Sequence, residues 1–213
     1  MELLISIVLG WFERLPARQK PKAKKKSGFS RKIVAFLVVA VFVVVVVVSY
    51  QMGGTGSPAT STGSSKVLLV TSMGNITIEL YEDMPITSGN FENLVQKGTY
   101  DGTIFHRVVH DFVVQGGDAS GKGITVPTIA DELPNKHSNL RGSVAMAKTS
   151  EPNSATSQFY INLKDNLDLD SNYSVFGRVL AGMNVVDAIG NVSTDANYRP
   201  LQNVTVTRAE LVK

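Results

Sequence analysis

Sixteen consecutive apolar residues, 33–48 (IVAFLVVAVFVVVVVV), constrain this chain more than any other feature of its sequence. As an α-helix this run would be about 24 Å long, at about 1.5 Å per residue. Ser49, Tyr50 and the long side chains of Arg31 and Lys32 extend it to the ~30 Å hydrocarbon core of a bilayer. Because a backbone in lipid must satisfy its own polar groups, we predict one transmembrane signal-anchor helix over residues 33–50.

The basic charge of the chain lies before this apolar run. Residues 1–32 hold nine Lys or Arg and two Glu, a net charge of +7, whereas the remainder holds twelve basic and sixteen acidic residues. Basic segments next to a membrane-spanning helix stay on the cytoplasmic side. We therefore predict that residues 1–32 form a cytoplasmic arm and that everything after Tyr50 is extracytoplasmic. A cleaved signal peptide is the alternative, which the long basic region and the lack of an A-x-A site after Val48 disfavour. Because the basic pI of about 9.1 comes from this arm, it does not indicate nucleic-acid binding.

Residues 51–65 (QMGGTGSPATSTGSS) are rich in Gly, Ser and Thr and carry no charge. Such a segment cannot bury a core, and we predict a flexible linker with a reach of about 20–23 Å. A second apolar run, residues 3–12, is too short to span a bilayer. It either lies in the membrane interface, with Trp11 as its anchor, or has no fixed structure.

From residue 66 onwards the sequence changes to short alternating apolar runs bounded by turns, which predict a mainly β domain over residues 66–213. A helix is predicted at 85–97, because Pro85 suits a first helical position and Gly98 a helix end, and another at 183–189 before Gly190. Strands at this spacing favour a closed barrel or a sandwich. The predicted strands are residues 67–71, 76–80, 104–109, 112–115, 143–147, 158–163, 174–179 and 204–212.

Four sequence blocks carry a family resemblance. Residues 102–118 (GTIFHRVVHDFVVQGGD) resemble the cyclophilin pattern FHR-(I/V)-(I/V)-x-x-F-x-x-QGGD. Three further blocks follow in the family's order: RGSVAMA at 141–147, SQFYIN at 157–162 and VFGRV at 175–179. Residues 66–213 therefore resemble the cyclophilin-type peptidyl-prolyl cis/trans isomerases. The resemblance implies a closed eight-stranded antiparallel barrel capped by two α-helices, with no metal and no organic cofactor.

The chemistry implied by this resemblance is rotation about an X–Pro bond. Rotation crosses a barrier of about 18–20 kcal/mol, because C–N resonance is lost, but it makes and breaks no bond. A fixed cationic donor aimed at the proline nitrogen therefore suffices, and Arg107 matches the catalytic Arg of the family. Gln115 matches the Gln that hydrogen-bonds the substrate backbone. His106 is expected to be a packed structural histidine, since the reaction requires no general base.

The resemblance also assigns the substrate-binding residues. Four side chains should line an apolar slot for the proline ring, the main chain of two residues should pair with the peptide, and two neighbours should shape the floor. A ninth position, Tyr173, falls where many members carry His. The slot residues are Phe112, Val113, Tyr160 and Leu169, the two main-chain residues are Ala147 and Lys148, and the two floor residues are Gln158 and Phe159.

Four positions depart from well-known members of the family: Val113 replaces Met, Tyr160 replaces Phe, Asp168 replaces Trp and Tyr173 replaces His. The changes at residues 168 and 173 resemble bacterial members. They count against tight cyclosporin binding more than against isomerase activity.

Two functions remain open from the sequence. One is an isomerase that assists the folding of exported or membrane-proximal proteins, and the other is a tethered proline-peptide binding module with little turnover. A scaffold in a membrane complex that uses residues 1–32 is a third hypothesis, on which the sequence says almost nothing. The expected partners are proline-containing polypeptides and, through residues 33–50, the membrane.

No metal site is predicted, because the acidic loop with Asp165, Asp168 and Asp170 lacks EF-hand spacing. The absence of cysteine excludes disulfides, thiolate nucleophiles and Cys-ligated metals.

Overall fold

The computed structural model describes residues 64–213. The predicted cytoplasmic arm, the predicted transmembrane helix at 33–50 and the predicted linker up to residue 63 lie outside the described residues. Within residues 64–213, no helix combines the length and the apolar character needed to cross a membrane.

Residues 64–213 form eight β-strands and two α-helices, each within two residues of its predicted bounds. The prediction of a mainly β fold with two helices is therefore confirmed. The strands are β1 (Lys66–Thr71), β2 (Gly74–Leu80), β3 (Phe105–Val109), β4 (Val113–Gly116), β5 (Ser143–Met146), β6 (Phe159–Asn162), β7 (Val175–Ala181) and β8 (Val206–Val212). The helices are α1 (Pro85–Gln96) and α2 (Met183–Gly190), and short 3₁₀ turns cover Ser120–Lys122 and Leu167–Leu169.

All strand pairs in the single sheet are antiparallel, in the order β3-β4-β6-β5-β7-β2-β1-β8. Within the described residues the two end strands, β3 and β8, form no ladder with each other. An isolated bridge between Ile104 and Thr205 spans the seam, beside a 2.9 Å bond from the Phe105 N–H to the Val204 carbonyl. The prediction of a closed barrel is thus only partly right. The sheet is a curled half-barrel, because loop residues rather than a strand occupy the outer edge of β3.

The interior of the half-barrel is filled by alternate strand residues and by the helices. Its centre is an aromatic cluster, in which Phe159 meets Phe91 of α1 and Tyr100 edge to face, with ring centroids 5.2 and 5.6 Å apart. Phe105 and Phe176 complete the cluster and are fully buried. Helix α1 begins at Pro85 and is held there by Glu132, whose carboxylate accepts the first free N–H groups of the helix.

The start of α2 requires glycine. Gly182 precedes the helix with a φ of 88°, and a Cβ at this position would lie 2.2 Å from the Asn75 carbonyl oxygen. Both the left-handed backbone and the close approach to β2 exclude a side chain here.

The outer face of β4, β5, β6 and β7 carries a second, smaller apolar cluster, formed by Val113, Ala145, Tyr160 and Val175. Because successive strand residues point to opposite faces, each of these alternates with a core residue. This outer cluster supports the candidate site.

Candidate active site

A cleft of about 170 Å³ lies on the outer cluster and gathers nine of the eleven predicted site residues. Strands β3 and β4 supply its polar end, β6 its floor, and the segments after β5 and around the second 3₁₀ turn its far walls. The lining residues are Arg107, Phe112, Val113, Gln115, Ala147, Lys148, Tyr160, Leu169 and Tyr173. A larger open cleft of about 800 Å³ lies between Ser72 and residues 191–204, but none of the predicted site residues lines it.

The apolar part of the cleft is fixed by strand register. Gln115 of β4 pairs with Tyr160 of β6, and Val113 pairs with Asn162, so Val113 and Tyr160 lie on the same outward face. Both are nearly buried, and the Tyr160 ring meets Tyr173 edge to face at 5.9 Å. Phe112 and Leu169 pack against this cluster at the edges of the slot. The walls form an apolar recess of a size that suits a single small ring.

The polar end of the cleft is a chain of three side chains. The Gln115 Nε2 donates to Gln158 Oε1 at 2.9 Å, which turns Gln115 Oε1 towards the Arg107 Nη1 at 3.5 Å. Arg107 and Gln115 are cross-strand partners on β3 and β4. Among residues 64–213, Arg107 makes no salt bridge. Its charge and most of its N–H donors are therefore available to a ligand.

Ala147 and Lys148, directly after β5, border the cleft. The Ala147 N–H donates to the Gln158 carbonyl at 2.9 Å, which holds this segment beside β6. The Lys148 Nζ pairs with Asp131 at 2.6 Å, and both side chains are almost buried. The ammonium group is thus committed to Asp131 rather than offered to a ligand.

Phe159 and Gln158 are the two predicted binding residues that do not line the cleft. Phe159 is fully buried in the aromatic core, because β6 turns Tyr160 outward and must turn its neighbour inward. Its predicted place on the floor of the site does not correspond to its position in the fold. Gln158 touches the site through Gln115, but it lines an adjacent cavity of about 330 Å³ next to residues 118–126.

His106 lies next to Arg107 on β3. Burial lowers the pKa of its imidazole below the usual value, and the nearby Asp118 only partly opposes this shift. Its Nδ1 is buried and finds no hydrogen-bond partner within the described part of the chain. A ring kept neutral and packed in this way suits the structural role predicted for it.

Asn139 is a site-supporting residue that the sequence analysis missed. The Tyr160 hydroxyl donates to the buried Asn139 Oδ1 at 2.7 Å, and burial raises the pKa of this phenol far above its usual value. The Asn139 backbone N–H and Nδ2 in turn donate to Asp170 Oδ1 at 2.7 and 2.8 Å. Tyr160 itself was the available signal, since a buried hydroxyl in place of Phe requires an acceptor nearby.

Two carboxylates of the acidic loop accept hydrogen bonds from neighbouring residues. Asp170 accepts the two bonds from Asn139, and Asp165 accepts the Arg141 N–H at 2.8 Å. Among the described residues no group of three or more His, Cys, Asp or Glu is placed to hold a metal ion.

The fold and the cleft together define a β half-barrel that carries an apolar slot beside a guanidinium on its outer face. Residues 66–211 match the family described as cyclophilin type peptidyl-prolyl cis-trans isomerase/CLD. The chain therefore belongs to the cyclophilin-type peptidyl-prolyl cis/trans isomerase family.

Relatives agree with this assignment. The peptidyl-prolyl cis-trans isomerase of Acinetobacter baylyi is 45% identical over 167 residues, which cover 74% of this chain and 88% of the relative. Peptidyl-prolyl cis-trans isomerase A of Dickeya dadantii is 48% identical over 158 residues, covering 70% and 83%. A cyclophilin-type isomerase of Cryptosporidium parvum, solved in the presence of the dipeptide Ala-Pro, matches with a TM-score of 0.65 at 28% identity, covering 70% and 99%. The chain is thus a cyclophilin-type peptidyl-prolyl isomerase.

Proposed function

We propose that the cleft binds X–Pro segments of exported or membrane-proximal polypeptides and that Arg107 catalyses their cis/trans isomerisation. One observation carries this proposal. A guanidinium without an ion-pair partner in residues 64–213 stands at the polar end of the cleft of about 170 Å³, beside its apolar slot.

The proposed mechanism uses binding and electrostatics alone. The proline ring enters the slot between Phe112, Val113 and Tyr160, which fixes one side of the rotating bond. As the amide twists, the proline nitrogen loses resonance and gains electron density. An N–H of Arg107 donates to that nitrogen, so the contact is strongest in the twisted state and lowers the barrier.

Gln115 is proposed to hold the substrate backbone. Its Nε2 is already bonded to Gln158, whereas among residues 64–213 its Oε1 has only the 3.5 Å contact to Arg107. That oxygen is free to accept a peptide N–H next to the proline. The backbone on the other side of the slot, at Ala147 and Lys148, offers a second edge along which an extended peptide can lie.

The ligand class is supported by a relative. The isomerase of Cryptosporidium parvum was solved in the presence of Ala-Pro, a minimal X–Pro unit. A site of the same family on this chain is proposed to take proline-containing peptides in the same way.

The membrane location rests on the sequence. The apolar run at 33–48, the +7 charge of residues 1–32 and the uncharged linker support an extracytoplasmic domain anchored through residues 33–50. Protease added outside spheroplasts should cut within residues 51–65 and release the domain. Digestion of residues 1–32 instead would contradict the orientation, and a native chain beginning near residue 51 would indicate a cleaved signal.

The activity of the site is tested with a protease-coupled prolyl isomerisation assay on the full chain in detergent, comparing the wild type with Arg107→Ala. We expect the wild type to accelerate cis-to-trans conversion of an X–Pro peptide and the variant to lose this acceleration. Equal binding of a proline peptide by both proteins, with no turnover by either, would instead identify a binding module.

A further inference from the structure

The loop that follows α2 places an aromatic ring against the catalytic cation. The Cζ of Arg107 lies 5.8 Å from the centroid of the Tyr198 ring. This distance is within the ~6 Å range over which a guanidinium is attracted by the face of an aromatic ring. Tyr198 is half-exposed, and none of the four family blocks includes it.

The turn that carries Tyr198 is fixed by hydrogen bonds to Asp195. Asp195 Oδ1 accepts the N–H groups of Asn197 and Arg199 at 2.8 and 2.9 Å, and the Tyr198 N–H donates to the Asp195 carbonyl at 3.0 Å. Tyr198 itself has a φ of 63°, a left-handed conformation that a bulky residue adopts rarely. Such a conformation persists only where the surrounding structure enforces it, and it directs attention to a role for the residue.

The same turn is fixed to the strand of the catalytic residue. The N–H of Val108, which follows Arg107 on β3, donates to the Tyr198 carbonyl at 2.8 Å. This bond holds the backbone of Tyr198 beside β3, one residue away from Arg107. The backbone bond between Val108 and Tyr198 therefore keeps the ring near the guanidinium, in addition to the attraction between the ring and the charge.

A ring face is well suited to holding a cation that must remain active. A carboxylate partner would occupy the in-plane N–H donors of Arg107 and offset its charge. The Tyr198 ring, 5.8 Å from the Arg107 Cζ, attracts the charge without accepting a hydrogen bond from it within residues 64–213, so the N–H groups of Arg107 stay free to bond elsewhere. Within residues 64–213 the Arg107 side chain makes one hydrogen bond, the long 3.5 Å contact to Gln115, so the attraction of the Tyr198 ring is a second restraint on the guanidinium.

We infer that Tyr198 is a positioning residue that keeps the Arg107 guanidinium aimed into the proline slot. This inference rests on the proposed catalytic role of Arg107. Tyr198 does not line the slot, so it should affect turnover and leave substrate binding nearly unchanged.

The test compares Tyr198→Leu with Tyr198→Phe in the full chain in detergent, using the coupled X–Pro assay. Leu removes the aromatic face, and we expect kcat to fall about three- to tenfold with KM within about twofold of the wild type. Phe retains the face, and its kcat should stay within about twofold. The thermal midpoint should be nearly the same in both variants, because the side chain is half-exposed.

The same pair of variants is then made together with Arg107→Ala. If Tyr198 acts through Arg107, Tyr198→Leu should cause no further loss of kcat once Arg107 is gone. Full activity of Tyr198→Leu, or an equal loss in Tyr198→Phe, would overturn the inference about Tyr198. Near wild-type activity of Arg107→Ala alone would instead overturn the proposed role of Arg107.

Discussion

Phe159 and Tyr160 are neighbours on β6, and both are nearly inaccessible to solvent, yet they belong to different regions of the molecule. Phe159 packs with Phe91 and Tyr100 in the aromatic interior, whereas Tyr160 belongs to the outer cluster beneath the cleft. The degree of burial therefore does not separate core from site here. What separates them is the face of the strand on which a side chain lies. Phe159 faces the core and Tyr160 faces the cleft, although the two are adjacent in the sequence.

The two regions also differ in what holds them. The interior depends on large rings and aliphatic side chains, so its deletions should appear as lost stability. The outer cluster is small and lines the slot, so removal of groups that face the slot should appear mainly in kinetics. Loss of a bond in the polar chain beneath it, through Asn139 and Asp170, should instead appear in stability. The predictions below test this division, from the largest expected effect to the smallest.

Phe159→Ala should cause the largest change. Removing a fully buried ring from the aromatic cluster should lower the free energy of unfolding by about 3–5 kcal/mol, measured by urea denaturation. Phe159→Leu, which fills more of the space, should cost clearly less. A loss below about 1 kcal/mol for Phe159→Ala would mean that Phe159 is not part of the core.

Arg107→Ala should show the opposite behaviour. We expect kcat/KM to fall roughly 10²–10³-fold, equivalent to about 2.7–4 kcal/mol, because the lost contact is made mainly in the transition state. The free energy of unfolding should change by no more than about 1 kcal/mol. Arg107→Lys is the matched control, since it keeps the charge but not the fork of donors, and it should recover only part of the activity.

Phe112→Ala should fall between these two extremes. Phe112 packs at the edge of the outer cluster and forms one wall of the slot. Its loss should weaken binding of the ground state and the transition state together, so KM should rise about tenfold with a smaller change in kcat. Thermal unfolding should also shift downward modestly. A pure kcat effect would contradict its assignment as a wall.

Tyr160→Phe should be nearly silent in the assay. The ring that faces the slot remains, and the change removes only the 2.7 Å bond to Asn139. Asn139 Oδ1 still accepts from Asn162 at 3.2 Å, so the free energy of unfolding should fall by about 0.5–1.5 kcal/mol. A large loss of activity in this variant would show that the hydroxyl acts on the substrate.

His106 should contribute a small dependence of stability on pH. Its pKa is lowered by burial, so below the usual His pKa of about 6.5 the unfolded chain binds more protons than the folded one. As pH falls from 7 to 5, the free energy of unfolding of the wild type, measured by denaturation, should therefore fall relative to that of His106→Gln. Above pH 7 the difference between the two free energies should stay constant. A constant offset down to pH 5 would contradict the assignment of a partly buried, neutral ring.

Local sequence patterns predicted the elements of the domain well. The hydrophobic alternation and the turn residues located the eight strands and both helices, because those signals act within a few residues. Two of the four family blocks hold Arg107, Gln115 and three of the slot residues, and the structure places all of these at one cleft. The fourth slot residue, Leu169, lies outside every block. What the blocks could not resolve was the opposite orientation of Phe159 and Tyr160 within one block, although strict alternation along β6 already forbids both from facing the cleft.

The remaining features depend on contacts between distant loops. Asn139 reaches Tyr160 from 21 residues away, and Tyr198 lies 91 residues after Arg107 in the sequence. Neither lies in a periodic segment, so no local pattern marks it. The open seam between β3 and β8 is of the same kind, since it depends on where the chain after α2 meets the edge of β3.

The position of β3 at the end of the sheet order has a consequence for how the domain fluctuates. Within the described residues β3 has a ladder on one side only, with β4, while loop carbonyls such as that of Tyr198 bond its other edge. Local opening is easiest where backbone bonds are fewest, so amide hydrogen exchange should be faster along β3 than along β5 and β6 in the middle of the sheet. The strand that carries Arg107, the proposed catalytic residue, would then be among the least protected of the eight.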